Sequence, residues 1–379
     1  MADSGSSPEQ DQEPGLFRTL AQDFRRVLAD MRRVGLKRSM SRTLTELQEF
    51  YFTTERRDRL ASMGRVKRWL YLSFWLFKSL FLRLTPARRI LLLLALLFLS
   101  FGSTSFAVGY DTQISLRLPS VGVALLLLIL MLELKDKLLS HEEMQAGRVV
   151  QRALMPERDP ELSGWEVCLY TESANEVGGD LVDYLALDAS RLGVALGDVA
   201  GKGLPAALLM AKLQATLRAF APESDPLAEL GSRLNRILHR DGLPNRFATL
   251  LYFEIVANSG RVRMLNAGHM LPLLLRSAKV EELPPASSAL GMFLDATFFE
   301  QQVDLGIDDL LVAYSDGLTE AMNRAGEFFG EERLHELVAE SAGLAANTAS
   351  ARLVAAVEAF VGDAPRHDDL SLVVLKRTC

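Results

Sequence analysis

Residues 197–207 have the sequence GDVAGKGLPAA, and this stretch fixes what the C-terminal half of the chain can be. The apolar run before it, residues 192–196, is typical of a buried strand. The run after it, residues 205–220, starts with a proline and keeps helical apolar spacing. Asp198 therefore stands in a glycine-rich turn at the end of a strand, where a carboxylate faces an open edge with room for a ligand.

Three further acidic positions share this setting at the edges of predicted strands. They are Asp180 after a glycine pair, Asp316 in a Ser-Asp-Gly turn, and the neighbours Asp368 and Asp369. Each alone is ordinary turn chemistry. Together they predict a site of oxygen ligands, which suits Mg²⁺ or Mn²⁺. Two such ions about 3.5 to 4 Å apart can acidify a shared water and screen a phosphate.

The sequence offers no covalent nucleophile as an alternative. It has no Cys-x5-Arg arrangement and no Gly-x-Ser-x-Gly elbow, and its five histidines are scattered. Its two cysteines, Cys168 and Cys379, are far apart and lack metal-ligand spacing. These features exclude a zinc ribbon and favour hydrolysis by an activated water.

The charge is divided unevenly along the 379 residues. The net charge is −6, but residues 1–89 hold 18 Lys/Arg against 10 Asp/Glu, and the remainder holds 24 against 38. Residues 1–15 are polar and predict a disordered tail. Residues 16–89 predict a basic helical region that is cytoplasmic or lies at the membrane interface. Nucleic-acid binding is the weaker reading of this basic charge because no recognition motif accompanies it, so we expect no nucleic-acid partner.

Two uncharged runs, residues 90–106 and 118–132, predict a transmembrane hairpin over residues 90–134. A third apolar run, residues 69–84, contains Lys78, whose insertion would cost about 2.5 to 3.5 kcal/mol, so two spans are favoured over three. The basic flank then places both termini in the cytoplasm. We therefore expect a multi-pass protein of the inner membrane with a cytoplasmic catalytic half.

Residues 133–156 predict a signalling helix that links the membrane region to the C-terminal domain. A parallel pairing of two copies is one way to bury its apolar side chains, which makes this helix a candidate homodimer contact. These side chains are Leu134, Leu138, Met144 and either Val149 or Val150.

Beyond Gly164 the pattern changes to short strands and amphipathic helices. Several strands follow one another without an intervening helix, which predicts an α+β sandwich for residues 160–379 instead of a doubly wound parallel sheet. The predicted strands are residues 165–170, 184–187, 192–196, 247–256, 261–265, 310–314 and 370–375, with a hairpin around residues 258–260. Helices are predicted from Pro205, Pro226, Glu331 and about Ala349.

Five motifs together resemble one known family. In order they are VGGDLVDY at 177–184, GDVAGKGLPAA at 197–207, NAGH at 266–269, YSDGLTEA at 314–321 and DDLSL at 368–372. Their order and spacing are similar to those of the SpoIIE/RsbU-type branch of the metal-dependent (PPM, PP2C-like) protein phosphatases. The resemblance covers roughly residues 142–376, including QRALMP at 151–156.

This resemblance implies a PPM fold, a four-layer sandwich of two antiparallel sheets flanked by helices, with two Mn²⁺ or Mg²⁺ ions at one end. Carried over to this sequence, Asp198 would bridge both ions with help from the Val199 carbonyl, and Asp316 and Asp368 would hold one ion. Asp369 is the alternative to Asp368, and Asp180 would bind an ion or orient the attacking water. The implied substrate is a phosphorylated regulatory protein of the STAS type, an anti-sigma-factor antagonist.

Two departures from the family pattern affect what can be expected. Ser371 stands where the family more often has Thr, which keeps the hydroxyl. No basic residue that could bind the phosphate is evident near the chain start, so substrate-binding residues are left unassigned. For Lys202, the favoured interpretation is an exposed residue in a surface turn. Turn-capping is the favoured role for Asn266 and His269.

Two other functions compete with the phosphatase interpretation. A membrane-tethered nucleotide cyclase also uses a Gly-Gly-Asp turn and two metals, but it requires an acidic residue and an aromatic where Leu181 and Val182 stand. A pseudophosphatase that only binds its partner would be expected to lack some of the metal carboxylates. All of them are present here.

Overall fold

The computed structural model describes residues 64–101, 104–107, 113–116, 118–241, 246–285 and 287–379. The predicted tail and most of the predicted basic region lie outside these residues. The chain divides into two compact units, Met1–Lys135 and Asp136–Cys379. Each unit is described separately.

In the first unit, helices α1 (Arg65–Arg83) and α2 (Pro86–Ser100) are followed by strands β1 (Thr104–Ala107) and β2 (Gln113–Leu116), and then by the first part of helix α3 (Leu118–Leu154), whose remainder belongs to the second unit. β1 and β2 form an antiparallel pair. The predicted helical span over residues 90–106 is therefore wrong at its C-terminal end, because the helix stops at Ser100 and residues 104–107 are extended. The sequence Gly-Ser-Thr-Ser at 102–105 consists of residues that favour turns and extended backbone over helix.

α2 and the first half of α3 pack against each other in antiparallel fashion. Arg88 donates to Glu133 over 2.7 Å near one end. Toward the other end, a Cβ on Gly122 would lie 2.8 Å from the Ala95 carbonyl oxygen, so only a glycine permits this approach. The outward faces carry exposed Ile90, Leu127 and other large apolar side chains. Among the described helices, α3 alone is long and apolar enough to cross a membrane.

The second unit contains two five-stranded antiparallel sheets. The first has the order β10 (Glu300–Asp304), β7 (Arg261–Ala267), β6 (Ala248–Val256), β5 (Arg191–Val199), β4 (Leu181–Ala186). The second has the order β3 (Trp165–Glu172), β12 (Leu370–Arg377), β11 (Leu310–Tyr314), β8 (Leu273–Arg276), β9 (Lys279–Glu282). The α+β class and the two-sheet prediction are confirmed.

Helices cover the outer face of each sheet. α4 (Leu204–Phe220) and α5 (Leu227–Asp241), joined by a 3₁₀ turn at Ala221–Glu223, lie on the first sheet. The short α6 (Asp316–Thr319), α7 (Gly330–Ala339) and α8 (Ala346–Val361) lie on the second. One apolar cluster lies between each sheet and its helices. A third cluster, which includes Val194, Phe253 and Val373, fills the space between the two sheets. These three cores give the four layers of the predicted sandwich.

Three strands of the second unit were not predicted from the sequence, namely β8, β9 and β10. β9 and β10 each contain a single apolar residue, Val280 and Val303, among polar ones, so neither sequence shows the apolar–polar alternation that predicts a half-buried strand. The predicted hairpin at residues 258–260 is present, with Asn258 at a φ of 55°. The four predicted helices of this unit are present, each within three residues of its expected start.

Candidate active site

The antiparallel ladders bring the predicted carboxylates to one rim of the sandwich. Asp180 immediately precedes β4, and because Leu181 pairs with Gly197, it stands beside Asp198 near the end of β5. In the other sheet, Tyr314 pairs with Leu372. That register places Asp316, at the start of α6, next to the residues that precede β12.

The pKa values of these groups show that the carboxylates act on one another. Burial, followed by the charges of Asp316, Asp368 and Asp369, raises the pKa of Asp198 to about 6. Burial and the nearby Asp368 also raise the pKa of Asp316. Such mutual repulsion is what several acids gathered at one site produce. The rim is therefore electrostatically strained in the absence of a cation.

Asp180 is the most deeply buried of these acids. Burial and then the charge of Asp198 raise its pKa well above the usual range, whereas the hydroxyls of Ser371 and Ser315 oppose that rise. Its Oδ2 atom is buried and has no hydrogen-bond partner within the described part of the chain. A buried carboxylate oxygen without a partner is costly unless a ligand satisfies it.

The structure separates the roles of the two adjacent acids. Both oxygens of Asp369 accept backbone hydrogen bonds, Oδ1 from Ala174 over 2.8 Å and Oδ2 from Gly179 over 2.7 Å. A Cβ on Gly178 would lie 2.3 Å from the same Oδ2, so the loop can close on Asp369 only with glycine there. Asp369 therefore anchors the loop that carries Asp180.

Asp368, in contrast, is only half-buried and its side chain points outward. Its Oδ2 lies 2.9 Å from the Lys202 ammonium, which also donates to the His367 carbonyl oxygen. Lys202, expected in a surface turn, has a side chain that is 57% exposed and gives the site a positive charge. The Val199 carbonyl faces the Gly179 backbone, where a Cβ would be 3.1 Å away. All six residues expected at the site therefore belong to this rim.

The donor set fits hard divalent cations. Every available donor is an oxygen, one buried carboxylate oxygen is unpartnered, and the repulsion among the acids would be relieved by positive charge. As the side chains are placed, no three His, Cys, Asp or Glu groups of the described residues are close enough together to bind an ion. Binding of an ion would therefore require a half-buried side chain such as that of Asp368 to rotate away from Lys202.

Sequence reasoning missed a second layer of residues behind the rim. The side chain of Thr249 pairs with the Asp198 backbone, and that of Gln151 pairs with the Gly178 backbone. Asn266 does brace the turn as expected, since its Oδ1 accepts from the His269 amide. The His269 ring, however, reaches away from that turn to Thr249. Burial lowers the pKa of His269 to about 4, so the ring is uncharged at neutral pH.

Comparison with known protein families finds a match over this part of the chain. The family model described as Stage II sporulation protein E (SpoIIE) matches residues 188–378, half of the chain. The chain belongs to the SpoIIE family. The matched region contains four of the rim acids and excludes Asp180, which lies just upstream.

Two curated relatives and one solved structure illustrate the extent of the similarity to other SpoIIE-like proteins. Protein IcfG of Synechocystis sp. is 29% identical over 232 residues, which are 54% of this chain and 36% of that protein. Phosphoserine phosphatase RsbU of Bacillus subtilis is 25% identical over 240 residues, 62% of this chain and 70% of RsbU. The crystal structure of the RsbU and RsbW domains of Rv1364c from Mycobacterium tuberculosis matches with a TM-score of 0.50 and 27% identity, covering 58% of this chain and 61% of that one.

The chain thus spans about a third of the length of IcfG and about two thirds of RsbU. In this chain, the family model places the SpoIIE-type domain at residues 188–378. That domain has the PP2C-like fold expected from the motifs.

Proposed function

We propose that this chain is a metal-dependent protein phosphatase that hydrolyses phosphoserine or phosphothreonine in a regulatory partner protein. The observation that carries the proposal is the convergence of Asp180, Asp198, Asp316 and Asp368 on one rim of a SpoIIE-family domain. The name of its relative RsbU, a phosphoserine phosphatase, supports the reaction class.

Within this proposal, Asp198 and the Val199 carbonyl lie centrally, and Asp316 and Asp368 approach from the other sheet. Two divalent ions held by these groups would supply a water acidified for in-line attack and positive charge to offset that of the phosphate. Asp180 Oδ2 is the oxygen that the protein leaves unpartnered, and it is positioned to orient the attacking water or to complete an ion's coordination. The ions we propose are Mn²⁺ or Mg²⁺, because both bind oxygen donors of this kind.

A covalent route through cysteine finds no support at this rim. Cys168 lies in the middle of β3, paired with Val374, away from the strand ends that carry the acids. Burial raises the pKa of its thiol, which keeps it protonated and unreactive at neutral pH. Direct attack by water is therefore the mechanism we propose.

The test uses the full-length chain in detergent and a panel of serine-phosphorylated proteins, including a STAS-type anti-sigma-factor antagonist. We expect phosphate release with Mn²⁺, none with excess chelator, and recovery when Mn²⁺ is restored. Asp198→Asn serves as the inactive control and Cys168→Ser as the active one. Full activity in chelator, or a trapped phosphocysteine, would contradict the proposal.

We further propose that the first unit anchors the protein as a multi-pass inner-membrane protein with both termini in the cytoplasm. Support comes from the antiparallel packing of α2 on α3 and from the exposed apolar side chains on their outer faces. With 15 residues, α2 would need flanking residues to complete a span of about 20.

Regulation through the linker is the last part of the proposal. The segment of α3 in the second unit contacts the Asp180 loop directly, because the Gln151 amide donates to the Gly178 carbonyl over 2.8 Å and accepts from its amide over 3.0 Å. Met144, one of the side chains expected in a helix pair, packs instead near Gly203 of its own domain. Leu138, Val149 and Val150 remain exposed in the single chain and are the surface we propose for a homodimer.

A movement of this helix would displace the loop that carries Asp180, because the Gln151 amide is hydrogen-bonded to Gly178 in that loop. Inserting a few residues near Ser140 should therefore change activity far more than it changes the thermal stability of the domain. Equal turnover before and after insertion would contradict control through the linker.

A further inference from the structure

The connection from β7 to β8 crosses from the first sheet to the second at the end of the sandwich that carries the acids. His269 lies in this crossing and is buried. Its backbone is held by Asn266, whose Oδ1 accepts from the His269 amide over 2.9 Å and whose amide donates to the His269 carbonyl over 3.3 Å. The turn is therefore secured without the ring, and the imidazole is free to serve another purpose.

The imidazole contacts the strand that carries Asp198. Its Nδ1 lies 2.8 Å from Thr249 Oγ1. Thr249 is the register partner of Asp198, and its Oγ1 accepts from the Asp198 amide over 3.2 Å and lies 3.3 Å from the Asp198 carbonyl oxygen. Because a hydroxyl has one proton, Thr249 can accept from Asp198 and donate to His269 at the same time.

The other side of the ring faces the second sheet. Nε2, the other ring nitrogen, is buried and has no hydrogen-bond partner among the described residues. Burial lowers the pKa of the ring, and the nearby Tyr314 backbone only partly opposes this. Tyr314 is the last residue of β11 and stands two positions before Asp316. His269 thus contacts Thr249, the register partner of Asp198, from within the connection that joins the two sheets, close to the end of β11.

We propose that His269 and Thr249 are positioning residues that hold Asp198 and Asp316 at the separation needed to bind divalent cations, an inference that rests on the proposed function. Asp198 and Asp316 come from different sheets, so their separation depends on how the sheets are held together at this rim. Apolar packing between the sheets is not directional, whereas the hydrogen bonds from Asp198 through Thr249 to His269 are. Groups that orient metal ligands in this way commonly alter metal affinity by about 10- to 100-fold.

The test measures binding of Mn²⁺ alone to the full-length chain in detergent, from the electron paramagnetic resonance signal of free Mn²⁺. Thr249→Val removes the hydroxyl at nearly constant volume, and His269→Ala removes the ring. We expect each variant to raise the Mn²⁺ dissociation constant about tenfold. The double variant should be no weaker than the worse single variant, because both residues belong to one chain of hydrogen bonds. Thr249→Ser should restore the wild-type affinity.

A matched control distinguishes positioning from general loss of stability. Asn235 is also buried and also holds a loop, donating to the Phe293 carbonyl and accepting from Gly291. Asn235→Ala should lower the melting temperature and leave Mn²⁺ affinity unchanged. If His269→Ala does not fold, the Thr249 variants carry the test.

The outcomes also separate this inference from the proposed function. Unchanged Mn²⁺ affinity in Thr249→Val, beside an active wild type, would overturn the positioning role and leave the phosphatase proposal intact. A wild type that binds Mn²⁺ but releases no phosphate from any substrate would overturn the proposed function, and the affinities of the variants would still decide the role of the two residues.

Discussion

Replacing Asp198 with Asn should stabilise the metal-free protein while abolishing its activity. Burial and neighbouring acids raise the pKa of Asp198 from 3.8 to about 6. An acid whose folded pKa is raised destabilises the folded state once it ionises, so stability is lost as pH rises from the unfolded pKa toward the folded one. A shift of about two units corresponds to about 3 kcal/mol, and partial exposure reduces this to roughly 2 kcal/mol.

The assay is thermal unfolding of the full-length chain in detergent with excess chelator. Since about 1 kcal/mol moves the melting temperature of a domain of this size by roughly 2 to 4 °C, Asp198→Asn should melt about 4 to 8 °C above the wild type at pH 7.5. The difference should shrink as pH falls from 6 and vanish below about pH 4, where the wild-type carboxyl is protonated in both states. With Mn²⁺ present, the order should reverse, because only the wild type gains stability from bound ions.

Asp183→Asn is the control for a paired carboxylate in the same sheet. Asp183 is fully buried and accepts two hydrogen bonds from Arg218, at 2.7 and 2.6 Å, so its loss should lower the melting temperature. A chelated Asp198→Asn variant that melts below the wild type at pH 7.5, or a difference that persists below pH 4, would refute the reasoning about self-repelling acids.

Three further expectations concern the site, the linker and the membrane region. Asp368→Asn should abolish Mn²⁺-dependent phosphate release with little loss of stability. Asp369→Asn should instead lower the melting temperature, because two backbone amides would be left poorly paired. The reverse pattern in activity and melting assays would exchange the roles of the two acids. Gln151→Ala should reduce turnover of a phosphoserine protein about tenfold or more. Gln151→Glu should not restore it, because a carboxylate cannot donate a hydrogen bond to the Gly178 carbonyl. Turnover at the wild-type rate in Gln151→Ala would show that the helix does not act through this amide. A reporter fused after Cys379 should behave as cytoplasmic, and its export would favour three spans.

Sequence patterns were sufficient for the layout of the catalytic half. Asp198 and Asp316 could be assigned to the site because each stands in a short turn whose neighbours define a strand end, and such ends are encoded locally by glycine and by the apolar run beside it. The α+β class followed from the succession of strands without helices. Polar edge strands such as β9 and β10 were missed, because their pairing with neighbours, and not their own side chains, makes them strands.

Tertiary structure alone decided the roles that depend on distant partners. Their local sequence does not separate the roles of Asp368 and Asp369, which differ because Ala174 and Gly179, 195 and 190 positions away, donate their amides to Asp369. Thr249 gives no local signal at all, since a threonine in a strand is ordinary, and its link to Asp198 arises from the register of β5 against β6. Turns and hydrophobic periodicity are determined by neighbouring residues, whereas hydrogen bonds between segments far apart in the chain exist only once the two sheets have packed.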